Sequence, residues 1–252
     1  MSKAFGATKF TWNKYNVEFN HHENLPRSFR MLIVGPSGCG KTNLLFNMLL
    51  SPRYIDYNNL IIFSKLIDPT EYQLLYHGFK NNLSKEDISL IFENQDFFHE
   101  PIPNICEEYA LQKNLSLIPL NIEITFSNKF ADILPPDKLK KNKKNLIIFD
   151  DCVSKKNQEI MESYFTRGRH NNCNVIYLSQ SWYELPGRMI RGNANFVILF
   201  KLNKRNKDGI YADLFSTDEL ISKQDLDHIW NEKYAYVALN KDTGYVMEDV
   251  FL

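Results

Sequence analysis

The sequence predicts an α/β fold in which a mostly parallel sheet carries helices on both faces. Short, uniformly apolar runs alternate with helical segments along most of the 252 residues. Such runs are typical of strands that are buried on both faces of a parallel sheet. Hydrophobic residues make up 44% of the chain, which is enough for a full core, and the length suits one large domain with small additions.

The predicted elements follow in chain order. Apolar runs predict strands at 31–34, 60–63, 121–126, 146–151, 175–179 and 196–200. Helices are expected at 42–50, through most of 70–118, at about 154–167 and near 206–231. Two last strands, 234–239 and 245–250, are expected to pair as a hairpin.

These elements predict one domain with an arm. Residues 1–28 read as an N-terminal arm of aromatic and basic residues, and 29–252 as a single domain. Within that domain, about 70–118 is expected to be a helical insertion and about 203–252 a C-terminal extension that ends in the hairpin.

Composition limits the classes of protein to consider. Thirty basic and thirty acidic residues cancel, so the total charge decides little about a nucleic-acid partner. The four cysteines show no zinc-ligand spacing, which favours reduced thiols in an intracellular protein. No stretch approaches the roughly 18 apolar residues needed to cross a bilayer, and the first residues lack the apolar core of a signal peptide. We therefore expect an intracellular protein with no membrane partner.

A glycine-rich loop follows the first predicted strand. It satisfies the phosphate-binding pattern G-x-x-x-x-G-K-[ST], and the strand before it and the helix after it are the context that the pattern needs. The alternative is a glycine-rich turn with an incidental lysine. The backbone N–H groups are expected to face phosphates, Lys41 to reach the β- and γ-phosphates, and Thr42 to supply a hydroxyl to Mg²⁺. The predicted nucleotide-binding residues are Gly35, Pro36, Ser37, Gly38, Cys39, Gly40, Lys41 and Thr42.

Polar side chains end two further strands. Asp150 and Asp151 close an apolar strand, as a Walker B motif requires. We expect Asp150 to hold Mg²⁺ through water, and Asp151 to orient or deprotonate the attacking water. The alternative for Asp151 is a cap on the next helix. Gln180 follows the strand 175–179, which should lie beside the Walker strands; it is expected to sense phosphate or position water, or else simply to start a loop.

Two arginines, Arg167 and Arg169, follow the Walker B helix. An arginine at the edge of the domain can stabilise transition-state charge on a neighbouring subunit's γ-phosphate. The alternative is that the end of a helix favours cations there.

Together these segments resemble a known family. Residues 35–42, 147–151, 168–170 and 178–181 stand in the order and spacing of the FtsK–HerA group of P-loop motor ATPases, which share a RecA-like core. More narrowly, the chain is similar to the genome-packaging ATPases of large eukaryotic DNA viruses, virophages, adintoviruses and Polinton or Maverick elements. The stretch 149–201 carries most of the likeness, which covers roughly 28–202 at motif level.

The resemblance implies a ring-shaped homo-oligomer that hydrolyses ATP with Mg²⁺ and pushes double-stranded DNA into a preformed capsid. It implies a capsid protein at the packaging vertex as partner, and a location at the viral assembly site in the host cytoplasm or nucleus, or in the virion. Arg169 matches the family's glycine-arginine pair and is the first choice for the trans-acting finger. Asp151 departs from the family, because cellular members commonly carry glutamate there. The implied catalytic residues are Lys41, Asp151, Gln180, Arg169 and Arg167, and the implied metal ligands are Thr42 and Asp150.

Other assignments stay open at this stage. The lysine-rich loop 138–144 can line a pore and contact DNA phosphates, or it can be a solvated loop. A capsid-assembly ATPase without translocation is the main alternative function. A small-molecule kinase is less favoured, because 42–149 contains no cluster of arginines such as a kinase lid carries.

Overall fold

The computed structural model describes residues 17–66, 69–94, 100–114, 122–152, 158–185, 187–215, 221–249 and 251. Within them, eight strands form one sheet in the order β3-β2-β4-β5-β1-β6-β7-β8. The strands are β1 (Arg30–Val34), β2 (Asn59–Ser64), β3 (Glu123–Ser127), β4 (Asn145–Asp150), β5 (Cys173–Ser179), β6 (Phe196–Phe200), β7 (Tyr236–Asn240) and β8 (Tyr245–Glu248).

The first six strands are parallel to one another, β7 is antiparallel to β6, and β8 is antiparallel to β7. Strand β1 pairs with β5 on one side and β6 on the other, and β4 lies between β5 and β2. Strand β7 runs back along β6, and β8 pairs with β7. The six parallel strands therefore define two edges. We call the edge where they end, at Val34, Ser64, Ser127, Asp150, Ser179 and Phe200, the carboxyl edge, and the edge where they begin the amino edge.

Helices cover both faces of the sheet. They are α1 (Lys41–Leu50), α2 (Thr70–Lys80), α3 (Lys85–Glu93), α4 (Ile102–Gln112), α5 (Gln158–Arg167), α6 (Gly187–Arg191), α7 (Lys204–Ile210) and α8 (Lys223–Ile229). Helix α7 continues into a π-helical turn, Tyr211–Phe215, and the short 3-10 segment Gly168–Asn171 leads into β5.

The core has two halves, because neighbouring strand residues point to opposite faces. On one face Ile33 and Ile148 pack with α1 to α4, and on the other Leu32 and Phe149 pack with α5 to α8. All seven residues of β5 are buried. Burial on both faces is what uniformly apolar strands require, so the predicted fold class is confirmed.

Most predicted elements are present with bounds shifted by a few residues. The predicted hairpin is β7 and β8, and the helical region 70–118 contains α2, α3 and α4, although 95–99 and 115–121 lie outside the described residues. The predicted helix at 154–167 is α5, described from Gln158 onward. None of the helices in the described ranges is long and apolar enough to cross a bilayer.

The predicted arm is described from residue 17 onward, and that part packs on the sheet. The His21 ring lies 5.0 Å from the rings of both Phe19 and Phe29, and Phe29 is fully buried. The amide of Phe29 donates to the Asn174 side chain at the start of β5. Residues 17–29 are thus part of the amino edge.

Candidate nucleotide site

The glycine-rich loop joins β1 to α1 at the carboxyl edge. Gly38 and Gly40 adopt positive φ angles of 76° and 100°, which residues with a Cβ rarely adopt. At Gly35 the constraint is space, because a Cβ would lie 2.6 Å from both Cys39 Sγ and Phe200 Cβ. The loop therefore needs glycine at these three positions to keep its curve.

Helix α1 begins inside this curve. Gly40 is its N-cap, and no side chain caps the helix there, so its first amide groups are donors for a bound anion. The buried Lys41 ammonium donates to the carbonyl oxygens of Gly35 at 2.6 Å and Pro36 at 2.9 Å. The loop thus places a cation and a helix N-terminus side by side, which is an arrangement that attracts phosphate.

The predicted Walker B residues lie beside the loop because β5 bridges β1 and β4. The amide of Gly35 donates to the Ser179 carbonyl, and the amide of Asp151 donates to the Leu178 carbonyl. Gln180 Nε2 donates to Asp151 Oδ2 at 3.2 Å. Asp151 directly follows β4 with a φ of 50°, a left-handed conformation that aspartate tolerates better than most residues.

Asp150 has a different environment from Asp151. Tyr72 of α2 donates its hydroxyl to Asp150 Oδ2 at 2.8 Å. Burial raises the pKa of Asp150, and the Asp151 charge raises it further, while Tyr72, Lys41 and Ser64 act in the opposite direction. Positive charge next to Asp150 therefore favours its ionised form.

These groups line one pocket of about 620 Å³ at the carboxyl edge. Its size is in the range of small-molecule sites. The pocket residues that bear on binding are Gly38, Gly40, Lys41, Thr42, Asp150, Asp151, Gln180, Phe200, Tyr234 and Tyr236. Seven of the ten carry a predicted role, so the fold brings the two Walker motifs and Gln180 together.

The donors in the pocket suit Mg²⁺. The Thr42 hydroxyl and the Asp150 carboxylate are hard oxygen ligands, and Mg²⁺ usually takes only one or two protein carboxylates and completes its shell with substrate phosphates and water. The described residues contain no group of three or more His, Cys, Asp or Glu side chains that can hold a metal without such help. The pocket thus fits a metal that binds together with a nucleotide.

The two arginines lie elsewhere. Arg167 ends α5, Arg169 lies in the 3-10 segment before β5, and both side chains are exposed at the amino edge. Arg169 Nε lies 3.4 Å from His170 Nε2, and the Arg169 side chain lines a small groove with Phe19 and Arg27. Neither arginine lines the nucleotide pocket of its own chain.

The lysine-rich loop also lies at the amino edge, where it leads into β4. Lys140 and Lys143 form ion pairs with Glu123, and Lys144 pairs with Asp56. Lys138 and Lys141 are exposed.

Comparisons with known proteins agree with this geometry. The family model of the poxvirus A32 protein matches residues 16–229. The chain belongs to the poxvirus A32 protein family. This family match confirms the predicted resemblance to viral packaging ATPases. Among proteins with curated descriptions, none matches this chain.

Solved structures of a viral packaging protein share the fold of this A32-family chain. The genome packaging NTPase B204 from Sulfolobus turreted icosahedral virus 2, in complex with AMP, matches with a TM-score of 0.51 at 12% identity, over 89% of this chain and 98% of that one. The crystal structure of B204, the DNA-packaging ATPase from Sulfolobus turreted icosahedral virus, matches with a TM-score of 0.50 at 13% identity, over 86% and 95%. At such identities the likeness concerns the fold.

Sequence reasoning missed three aromatic residues of this A32-family site. Tyr72 contacts Asp150, Phe200 fills the space next to Gly35, and Tyr234 lies beside Gly40. Only Phe200 carried a usable signal, since the predicted parallel strand 196–200 had to end at the same edge of the sheet as the loop. Nothing in the sequence distinguishes Tyr72 from the other aromatic residues of 70–118.

Proposed function

We propose that this protein is the ATPase of a DNA-packaging motor, which couples ATP hydrolysis to the movement of double-stranded viral DNA into a preformed capsid. One observation carries the proposal: the phosphate loop, Asp150, Asp151 and Gln180 line a single pocket in a chain of the A32 family. The fold, which matches packaging NTPases over nearly their full length, supports the same function.

The residues of the pocket divide the work of hydrolysis. Lys41 and the first amides of α1 bind the phosphates, and Thr42 and Asp150 offer oxygen ligands. When bound there, Mg²⁺ neutralises negative charge on the phosphates. Asp151 orients the attacking water or accepts its proton, and Gln180 holds the Asp151 carboxylate through the 3.2 Å hydrogen bond.

The cation that stabilises transition-state charge on the γ-phosphate comes from a second copy of the chain. Arg169 is the first candidate and Arg167 the second, because both are exposed at the amino edge, away from the pocket of their own chain. Cyclic homo-oligomers are the expectation for a site completed in trans. We infer that such a ring works at the packaging vertex against a capsid protein, at the site of viral assembly in the host cell.

The domain organisation follows the same proposal. Residues 29–252 form the ATPase domain, with 70–118 as a helical insertion and 203–252 as a C-terminal extension. Tyr72, from the insertion, supports the proposed metal ligand Asp150.

The test is the ATPase rate with and without long double-stranded DNA across a salt series. We expect strong stimulation that fades as salt rises, because contacts to DNA phosphates release counterions. The variant Lys41→Ala should show no turnover under any condition. Turnover that is indifferent to DNA would contradict translocation and favour a capsid-assembly ATPase, and turnover by Lys41→Ala would contradict the site.

A further inference from the structure

The proposed function fixes the orientation of the nucleotide in the pocket. Asp150 and Asp151 lie at the end of β4, and Gln180 follows β5, all on one side of β1, so the γ-phosphate lies on that side of the loop. The phosphate loop holds the phosphates at its centre. The nucleoside must therefore leave the loop in another direction, and on the opposite side of β1 the pocket is lined by the end of β6 and the start of β7.

Aromatic side chains line the pocket on that opposite side. Phe200 ends β6, Tyr236 begins the antiparallel β7 directly across from it, and Tyr234 lies just before β7. A Cβ at Gly40 would lie 3.5 Å from Tyr234 Cδ1 and 3.7 Å from Phe200 Cε1. The Tyr234 and Phe200 rings thus reach the N-cap residue of α1, close to where the phosphates bind.

Tyr234 differs from its two neighbours in exposure and in backbone. Phe200 and Tyr236 are buried, and their rings contact each other with centroids 5.4 Å apart. Tyr234 is 55% exposed and has a φ of 68°, a left-handed conformation that is a genuine outlier for a bulky residue. Strained residues of this kind cluster at ligand sites, where the surrounding structure holds them.

The Tyr234 ring also contacts a cation. Lys233 Nζ lies 4.6 Å from the centroid of the Tyr234 ring, and the ring keeps its large exposed area with Lys233 in place. A lysine over an aromatic ring is a weak contact at an exposed site, so it yields easily to a stronger partner.

We propose that Tyr234 is the base-stacking residue of the nucleotide site, and that its ring packs against the nucleobase of the bound nucleotide. This inference rests on the proposed function, because it takes the direction of the nucleotide from the Walker residues. Every base has a π-face, so stacking adds affinity for nucleobases as a chemical class rather than for one hydrogen-bonding pattern. Tyr234 therefore positions the substrate, although it is distant in sequence from both Walker motifs.

The test compares two ligands that share the phosphates and differ in the base: a non-hydrolysable ATP analogue and inorganic tripolyphosphate, each titrated calorimetrically with Mg²⁺. Tyr234→Asn removes the ring and puts a residue there that adopts left-handed backbone readily. We expect it to weaken the ATP analogue by about 5- to 150-fold, the range for loss of one base–aromatic stack, and to leave tripolyphosphate unchanged. Tyr234→Phe keeps the ring and should bind both ligands like the wild type.

Tyr245→Asn is the matched control. This tyrosine is 71% exposed and begins β8 opposite Asn240, at the amino edge. It should bind both ligands normally. An equal loss of both ligands in Tyr234→Asn would overturn the inference, since the ring would then support the loop, and so would unchanged binding of both. A wild-type chain that binds neither ligand would instead overturn the proposed function.

Discussion

The carboxyl edge and the amino edge of the sheet both carry functional candidates, in different arrangements. At the carboxyl edge, Lys41, Asp150, Asp151 and Gln180 line one pocket, and Gln180 and Asp151 hydrogen-bond. At the amino edge, the arginines 167 and 169 are exposed, and the lysine-rich loop is partly neutralised by acidic neighbours. The groups at the carboxyl edge thus share one pocket, whereas the cations at the amino edge are spread over two segments.

This difference shows which chemistry one copy of the chain can perform. Strand β5 separates Arg169 from Gln180, and seven residues of strand span roughly 20 Å. No arginine side chain bridges that distance. Binding of the nucleotide therefore belongs to one copy, whereas any role for Arg169 in hydrolysis requires that its amino edge meets the carboxyl edge of another.

The largest expected effect is a difference in ATP turnover between two lysine variants, one at each edge. Lys41→Ala should abolish ATP turnover, because the phosphate loop loses its buried ammonium. Lys141→Ala removes an exposed lysine of the amino edge and should leave turnover without DNA unchanged. Steady-state ATPase rates of both variants are the measurement. Loss of basal turnover in Lys141→Ala would mean that this lysine of the amino edge also takes part in hydrolysis.

A smaller effect is expected when the two edges are tested in different copies. Arg169→Ala should bind ATP normally but lose about 10³-fold in turnover, the lower end of the range for an arginine finger. Mixed assemblies provide the decisive measurement: the Arg169→Ala chain supplies an intact Walker site, and the Lys41→Ala chain supplies the arginine. Mixing should restore part of the turnover, although neither variant is active alone.

The control for that experiment is a chain with both substitutions, which cannot restore its partner's turnover. If the mixture stays as inactive as the separate variants, while Arg167→Ala mixed in the same way recovers, the finger is Arg167. If neither mixture recovers, the trans model is wrong.

The smallest expected effect is a change in how the free energy of unfolding depends on pH, and it comes from a histidine at the amino edge. Burial lowers the pKa of His21 from 6.5 to about 4. Between these values the unfolded chain binds a proton that the folded chain does not, so stability should fall as pH drops from about 6.5 to 4. In His21→Asn that part of the pH dependence should disappear, because asparagine keeps an acceptor for the Asp56 amide without titrating. Chemical denaturation at several pH values measures this, and an identical pH slope in the variant would contradict it.

Local sequence patterns predicted most of the fold. The runs 31–34, 60–63 and 196–200 are apolar over their whole length, and in β1, β2 and β6 the structure buries all of their residues except the half-buried Ile61. The position of β5 beside β1 and β4 is confirmed as well, since a strand that precedes Gln180 had to reach the phosphate loop. The catalytic roles of Asp151, Gln180 and the arginines stay predictions.

Local sequence patterns could not predict the contacts between segments that are distant in the chain. Tyr72 reaches Asp150 because α2 packs over the end of β4 with one particular rotation, and helix periodicity does not fix that rotation. Tyr234 faces the loop because its own backbone is left-handed and β7 begins only at Tyr236, whereas the sequence predicted that a regular strand begins at Tyr234. Both depend on tertiary packing rather than on local preference.

The place of β1 in the middle of the sheet has a consequence for how the protein is made. Among the described strands, β1 pairs only with β5 and β6, which a ribosome completes after β2, β3 and β4. A nascent chain that ends before Cys173 contains the whole phosphate-loop motif but neither strand that holds it. Strands β2, β3 and β4 can pair with one another early, as domains begin to fold during synthesis. Nucleotide can therefore stabilise the chain only after β5 and β6 have left the ribosome, long after the phosphate loop itself was made.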